Sequence, residues 1–226
     1  MKRRIIFYIL TLLWLIALVG CGKTAGEPTT VPDGEITAEA TTENIVRAFS
    51  SAKLMSYSGA YAEDGTGEEV SGIAALTFVN DTGNFYQTLT LHVTDGENEY
   101  EFFITSLKPG ALITVLDRAK TPYAGEEKSV AVTVAESSFF ADIPEMHIDT
   151  FSLQVLDGVI NIKNISGKDI PGDVYIYYKN KNENGYFGGI TYRINCGAIA
   201  AGELVQRGSA HLSAGNSEIL FIDYEE

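Results

Sequence analysis

Thr88-Leu89-Thr90-Leu91-His92-Val93-Thr94, then Asp95-Gly96, then Glu99-Tyr100-Glu101-Phe102-Phe103-Ile104-Thr105-Ser106 is the stretch that decides the fold class. Leu89, Leu91 and Val93 alternate with Thr88, Thr90 and His92. An extended segment with that period has one apolar face and one polar face. Tyr100, Phe102 and Ile104 repeat the alternation after Asp95-Gly96, the pair that a tight primed hairpin turn prefers. The stretch therefore predicts an antiparallel hairpin with one buried face.

Outward from it the period stays at two. Leu76 and Phe78 face one way in 76–80, and 111–116 and 130–135 read as further strands. Only 44–54 is ambiguous: Ile45, Phe49 and Ala52 share a helical face, but Ser50-Ser51 and the short length leave the segment undecided.

The second half repeats the plan. Ile160, Ile162 and Asn164 answer Leu76, Phe78 and Asn80; Val174, Ile176 and Tyr178 answer Leu89, Leu91 and Val93; Ile190, Tyr192 and Ile194 answer Tyr100, Phe102 and Ile104. Two turns recur as well. Asn80-Asp81-Thr82-Gly83 matches Asn164-Ile165-Ser166-Gly167, and Leu107-Lys108-Pro109-Gly110 matches Ile199-Ala200-Ala201-Gly202. The second copy has a longer hairpin loop, at 180–185. The expectation is an all-β chain in which one antiparallel unit of about 85–90 residues occurs twice in tandem: a first β-sandwich domain over 44–136 and a second over 137–226.

The strands begin only after a leader and a linker. Met1-Lys2-Arg3-Arg4 precedes an apolar run from Ile5 to Gly20, the layout of an export signal. That run is shorter than the roughly 20 residues a membrane-spanning helix needs. Leu18-Val19-Gly20-Cys21 resembles a bacterial lipobox, which implies a signal peptide over 1–20, cleavage between Gly20 and Cys21, and a diacylglycerol on Cys21. Residues 21–43 are then the lipidated Cys and a tether rich in Thr, Ala, Glu, Pro and Gly. Such a segment cannot bury enough surface to offset its ordering entropy. The expected address is extracytoplasmic, lipid-anchored to the cell membrane.

The strand-and-turn pattern of 76–83 with 107–110, and of 160–167 with 199–202, resembles the small immunoglobulin-like modules of the FxLYD kind found in bacterial lipoproteins. The resemblance implies two tandem immunoglobulin-like sandwiches and a role as a non-catalytic part of the cell envelope.

Charge narrows the partners. The chain carries 30 acidic and 16 basic residues, net −14, and Lys2, Arg3 and Arg4 leave with the signal. So acidic a surface disfavours nucleic acid and anionic lipid headgroups. The lipid on Cys21 must hold the membrane, and the remaining partner is an envelope protein or glycan. Of the two cysteines only Cys196 is left, which suits a small buried apolar residue.

Catalytic and metal signals are sparse. His92, His147 and His211 stand apart, and the sequence holds no His-Glu-x-x-His, Cys-x-x-Cys, Gly-x-Ser-x-Gly or Ser-x-x-Lys motif. No cofactor and no metal ligand is assigned. The loop from Asn180 to Gly185 has the spacing that opens a calcium loop, but Asn stands first and Thr191 twelfth, so a polar hairpin explains it better. Asn80 and Asn164 sit in Asn-x-Ser/Thr sequons, for which Asx-type turn chemistry is sufficient cause. The candidate binding face is aromatic: Tyr175 and Tyr177 lie opposite the inward set of their strand, with Tyr186 and Phe187 nearby. Gly188-Gly189 beside them predicts a bulge or a close backbone approach.

The function expected is a membrane-anchored binding or assembly module. The alternatives are an envelope enzyme or enzyme accessory using carboxylates, whose sign would be a cleft between the domains lined by facing acids, and a small-ligand or calcium sensor.

Overall fold

The computed structural model describes Phe49 and residues 51–225. The leader, Cys21 and the tether read from the sequence lie outside the described residues. Those that are described form strands and turns, with no helix among them.

The first half contains β1 (Lys53–Ala60), β2 (Glu69–Val79), β3 (Tyr86–Asp95), β4 (Asn98–Leu107), β5 (Leu112–Leu116), β6 (Lys128–Ser129) and β7 (Thr133–Phe139). One sheet runs β5-β2-β1-β6 and the other β4-β3-β7, antiparallel throughout. The hairpin expected from the sequence is β3–β4. Leu91 pairs with Phe102 and Val93 with Tyr100, and Gly96 takes the turn at a φ of 62°. Leu89, Leu91, Val93, Phe102 and Ile104 are sealed from solvent against Leu54, Leu76, Phe78, Ile113 and Val115 of the other sheet. Burying a side chain of this size stabilises the fold by about 1.5–3 kcal/mol. Phe49 and Ala52, from the segment of ambiguous period, pack into this core just before β1.

The second half contains β8 (Phe151–Leu156), β9 (Val159–Asn164), β10 (Ile170–Asn182), β11 (Gly185–Phe187), β12 (Tyr192–Ile199), β13 (Leu204–Gly208) and β14 (Ser217–Tyr224). Here the sheets run β13-β9-β8 and β12-β10-β14. Strand for strand this repeats β5-β2-β1 and β4-β3-β7. A second core lies within it, built from Ile160, Ile162, Val174, Ile176, Tyr178, Ile194, Cys196 and Ile222.

The recurring turns repeat atom for atom at their centre. Asn80 and Asn164 are both fully buried. Each Oδ1 accepts the backbone N–H and the hydroxyl of the residue two further on, Thr82 or Ser166. Asn80 Nδ2 donates to the carbonyls of Asn84, Leu107 and Lys108, and Asn164 Nδ2 to those of Lys168 and Ile199. Gly110 and Gly202 each donate back to the asparagine carbonyl. The sequons are therefore internal turn locks that satisfy carbonyls left over at two strand ends.

The correspondence of the fourth strand differs from the one expected. Tyr192, Ile194 and Cys196 occupy the places of Tyr100, Phe102 and Ile104, because Ile176 pairs with Ile194 as Leu91 pairs with Phe102. Ile190 precedes β12 altogether. The longer loop carries the extra strand β11, which moves the register by two residues and keeps the inward parity. Cys196 thereby takes a core position, where burial pushes its thiol up to about 11.

That extra strand joins the halves. β10 turns at 183–184 into β11, and β11 runs parallel to β5, with Tyr186 opposite Ile113 and Phe187 opposite Thr114. One sheet thus runs from β12 through β10, β11, β5 and β2 to β1 and β6. Tyr186, Leu220 and Phe221 of the second half belong to the core of the first.

Candidate functional site

The junction is fixed at one peptide unit. The N–H of Gly189 donates to Glu63 Oε2 (2.7 Å), and its carbonyl accepts from the N–H of Thr105 (2.9 Å) and from Lys179 Nζ (2.6 Å). Glu63 Oε1 accepts the N–H of Leu116 (2.8 Å), so the carboxylate bridges the two halves. Lys179 is fully buried and also donates to the carbonyl of Ile190 (3.0 Å). Any Cβ at Gly189 would lie 1.9 Å from the carbonyl oxygen of Phe103. The close approach read from Gly188-Gly189 is this contact.

Burial dominates the titration of both charged groups. Glu63 is pushed up to about 7 by desolvation, against the two amide hydrogen bonds and the charge of Lys179. Lys179 is pulled down to about 7 by desolvation, against the charge of Glu63. A cavity of about 390 Å³ opens beside Glu63, with Tyr61, Arg118 and Lys120 on its wall.

A larger cavity, about 540 Å³, opens elsewhere along the junction, within the range of small-ligand sites. Gln87 and Ser106 line it from β3 and β4, the connection 140–147 from one side, and Tyr177 and Phe221–Asp223 from β10 and β14. Its floor is aromatic. Tyr177 stacks on Phe221 (4.5 Å between centroids, 21°), and Phe140 meets Phe221 edge-on (5.5 Å, 74°). Its rim carries Asp142, Glu145 and Asp223, all exposed, and Ile143, which is 80% exposed. Ile222 donates its N–H to the Glu145 carbonyl (2.9 Å), which holds the connection against β14.

The four aromatic residues singled out in the sequence divide between surroundings. Tyr177 is half-buried on the groove floor. Tyr175, two residues away on the same face, donates its hydroxyl to Asp173 (3.0 Å) and lies under the Arg193 guanidinium (4.6 Å). Tyr186 is buried on β11 and donates to Glu218 Oε1 (2.9 Å), which also pairs with Lys108 (2.5 Å). Burial first, and the Glu218 charge, push the Tyr186 hydroxyl up to about 12, against the opposing pull of Lys108. Phe187 packs on Tyr57 (5.4 Å).

Sequence reasoning missed Phe140, Phe221, Glu63 and Lys179. The run Ile219-Leu220-Phe221-Ile222 held a signal, since four consecutive apolar residues imply a strand buried on both faces. Among the described residues no group of three His, Cys, Asp or Glu side chains is arranged to hold a metal ion. In the 180–185 loop, Asn180 Oδ1 accepts from Ser217 Oγ and Asn182 Oδ1 accepts the N–H of Asn184, so these oxygens serve the hairpin.

Comparison with family models, curated proteins and solved structures finds no match.

Proposed function

We propose that the chain is a lipid-anchored extracytoplasmic lipoprotein whose tandem immunoglobulin-like β-units form a binding or assembly module. Leu18-Val19-Gly20-Cys21 and the basic, apolar leader support the address. The recurrence of one three-plus-three strand plan with the same buried asparagine supports the tandem reading. The observation that carries the binding part is the groove at the junction, with its aromatic floor and solvated rim.

The rim acids also suit the second reading, an envelope enzyme working with carboxylates. An acid/base pair needs surroundings that push two pKa values apart. Asp142, Glu145 and Asp223 are all exposed. The carboxyl that burial drives up, Glu63, has both oxygens engaged by backbone amides. That distribution favours contact over catalysis.

Cys21→Ser is expected to abolish incorporation of a labelled fatty acid and to release the protein from the membrane fraction, with an unchanged melting curve. Full membrane retention of that variant would sink the lipoprotein reading. Cross-linking in intact cells tests the module: the wild type should give a specific adduct that Asp142→Asn/Glu145→Gln loses. An adduct pattern indifferent to the groove, or none, would count against it.

A further inference from the structure

We propose that the free edge of β8 pairs antiparallel with the β8 of a second copy of this chain, about a two-fold axis through Gln154. No β8 residue lines the junction groove, so this interface goes beyond the binding reading and stands without it.

β8 is an undefended edge. Its counterpart β1 is covered by β6, with Lys53 opposite Ser129 and Leu54 opposite Lys128. The second half has no such strand between β13 and β14, and among the described residues β8 pairs with β9 alone. Proteins keep sheet edges from recruiting other strands with charges, prolines or bulges. Each of the other edge strands described carries a charge: Glu101 in β4, Lys128 in β6, Glu136 in β7, Arg193 in β12, Arg207 in β13 and Glu218 in β14. Phe151-Ser152-Leu153-Gln154-Val155-Leu156 has no charge, no proline and no register shift.

The edge is also self-complementary. Ile165 donates its N–H to the Thr150 carbonyl (2.8 Å), which fixes the alternation of the β8–β9 ladder. Ser152 and Gln154 bond toward β9, and the N–H and C=O of Leu153 and Val155 point outward. Those outward groups have no backbone partner among the described residues. An axis through Gln154 sets Leu153 opposite the partner's Val155 and Val155 opposite the partner's Leu153, and each pair exchanges both N–H···O bonds. Shifting the axis toward Phe151 calls on an N–H that already serves the His147 carbonyl (2.8 Å); shifting it the other way calls on Asp157, outside the strand. Gln154 ends a ladder of side-chain amides: Gln206 donates to Asn161 (3.1 Å) and Asn161 to Gln154 (3.2 Å), while the Gln154 amide nitrogen has no partner among the described residues. Across the axis it meets the Oε1 of the partner's Gln154, and the ladder runs on through both copies. The pairing covers the half-buried Leu153 and Val155 at the margin of the second core. At a net charge of −14 two copies repel over most of their surface, and the neutral β8 is where they can approach. A strand of 6 residues buries less than the roughly 1,200 Å² of a stable interface, so the dimer is weak in solution.

The test is disulfide capture in intact cells under mild oxidation, read on non-reducing gels with the wild type as background. Gln154→Cys puts the two thiols on Cα atoms about 4.5 Å apart across the axis, within reach of a disulfide. Ser152→Cys, on the same face of the same strand, holds its thiols more than about 12 Å apart. The expected result is a homodimer band for Gln154→Cys at least about tenfold stronger than for Ser152→Cys. Sedimentation of the full-length protein in neutral detergent should show a reversible dimer at about 100 μM. Gln154→Lys, which sets like charges opposite one another, should weaken it severalfold. Val155→Pro, which removes an outward N–H and leaves the β9 ladder intact, should weaken it at least about tenfold. Melting curves verify both folds, and Gln154 is exposed, so the lysine variant decides alone if the proline variant unfolds. Equal capture at 152 and 154, or a protein that stays monomeric in sedimentation, overturns the proposal. A Gln154→Cys adduct of another mass also overturns it and assigns the edge to a different protein's strand. The groove-dependent adduct tests the binding module separately, whichever way these results fall.

Discussion

Gly189 is the position where one added atom costs most. Its N–H and carbonyl are held by Glu63, Thr105 and Lys179, and its Cα faces the Phe103 carbonyl. The closest atom is backbone rather than the end of a flexible side chain, and Glu63 Oε2, itself held by Gly189 and Leu116, lies 2.9 Å away. Gly189→Ala is expected to destabilise the protein by about 3 kcal/mol or more, read by urea unfolding; a loss under about 1 kcal/mol would show that the junction can relax. The glycine pair was legible because such pairs punctuate strands. Glu63 was not. It stands in Ala62-Glu63-Asp64-Gly65-Thr66-Gly67, which has the composition of a solvated acidic loop, and only the fold brings it under Gly189.

The β10–β11 hairpin is the element that departs from the repeat. Alternation revealed β3, β4, β5, β9 and β10, since each has one wet face and one dry face. It could not reveal β11, a strand of three residues that begins on a glycine and pairs across halves. Missing β11 also misplaced the partners of Tyr100, Phe102 and Ile104, because the insertion carries the sequence forward by one dyad. Replacing 182–190 with a two-residue Asn-Gly turn should leave β5 with an unpaired edge. Open edges recruit other strands, so the shortened protein is expected to self-associate at micromolar concentration, read by light scattering. A monodisperse monomer with an unchanged melting point would show that β11 is dispensable.

Across the whole molecule, the buried pair at the junction ties stability to pH. Glu63 titrates at about 7 in the fold, against 4.5 for an exposed carboxyl. The folded chain therefore holds the extra proton between those values, and this contribution weakens as pH rises from about 4.5 to 7. Lys179 titrates at about 7 against 10.5, so its contribution is present at high pH and is lost as pH falls from about 10.5 to 7. The two slopes meet in a minimum near neutrality. Glu63→Gln should remove the acid arm, on the order of 2–3 kcal/mol. The check is the difference in unfolding free energy between wild type and variant at pH 5 and pH 7. Equal differences at both pH values would refute the assignment.

The parallel contact between β5 and β11 also sets an order of events in time. Leu112–Leu116 leaves the ribosome well before Gly185–Phe187. At about 5–20 residues per second, the intervening stretch of about 70 residues takes roughly 4–14 s. During that interval the strands already made can begin to gather the first core, yet the β5 edge and the Phe103 carbonyl wait uncovered. A nascent chain stalled between 116 and 187 would be the species most in need of a chaperone, and a full chain would shed that need once β11 docks.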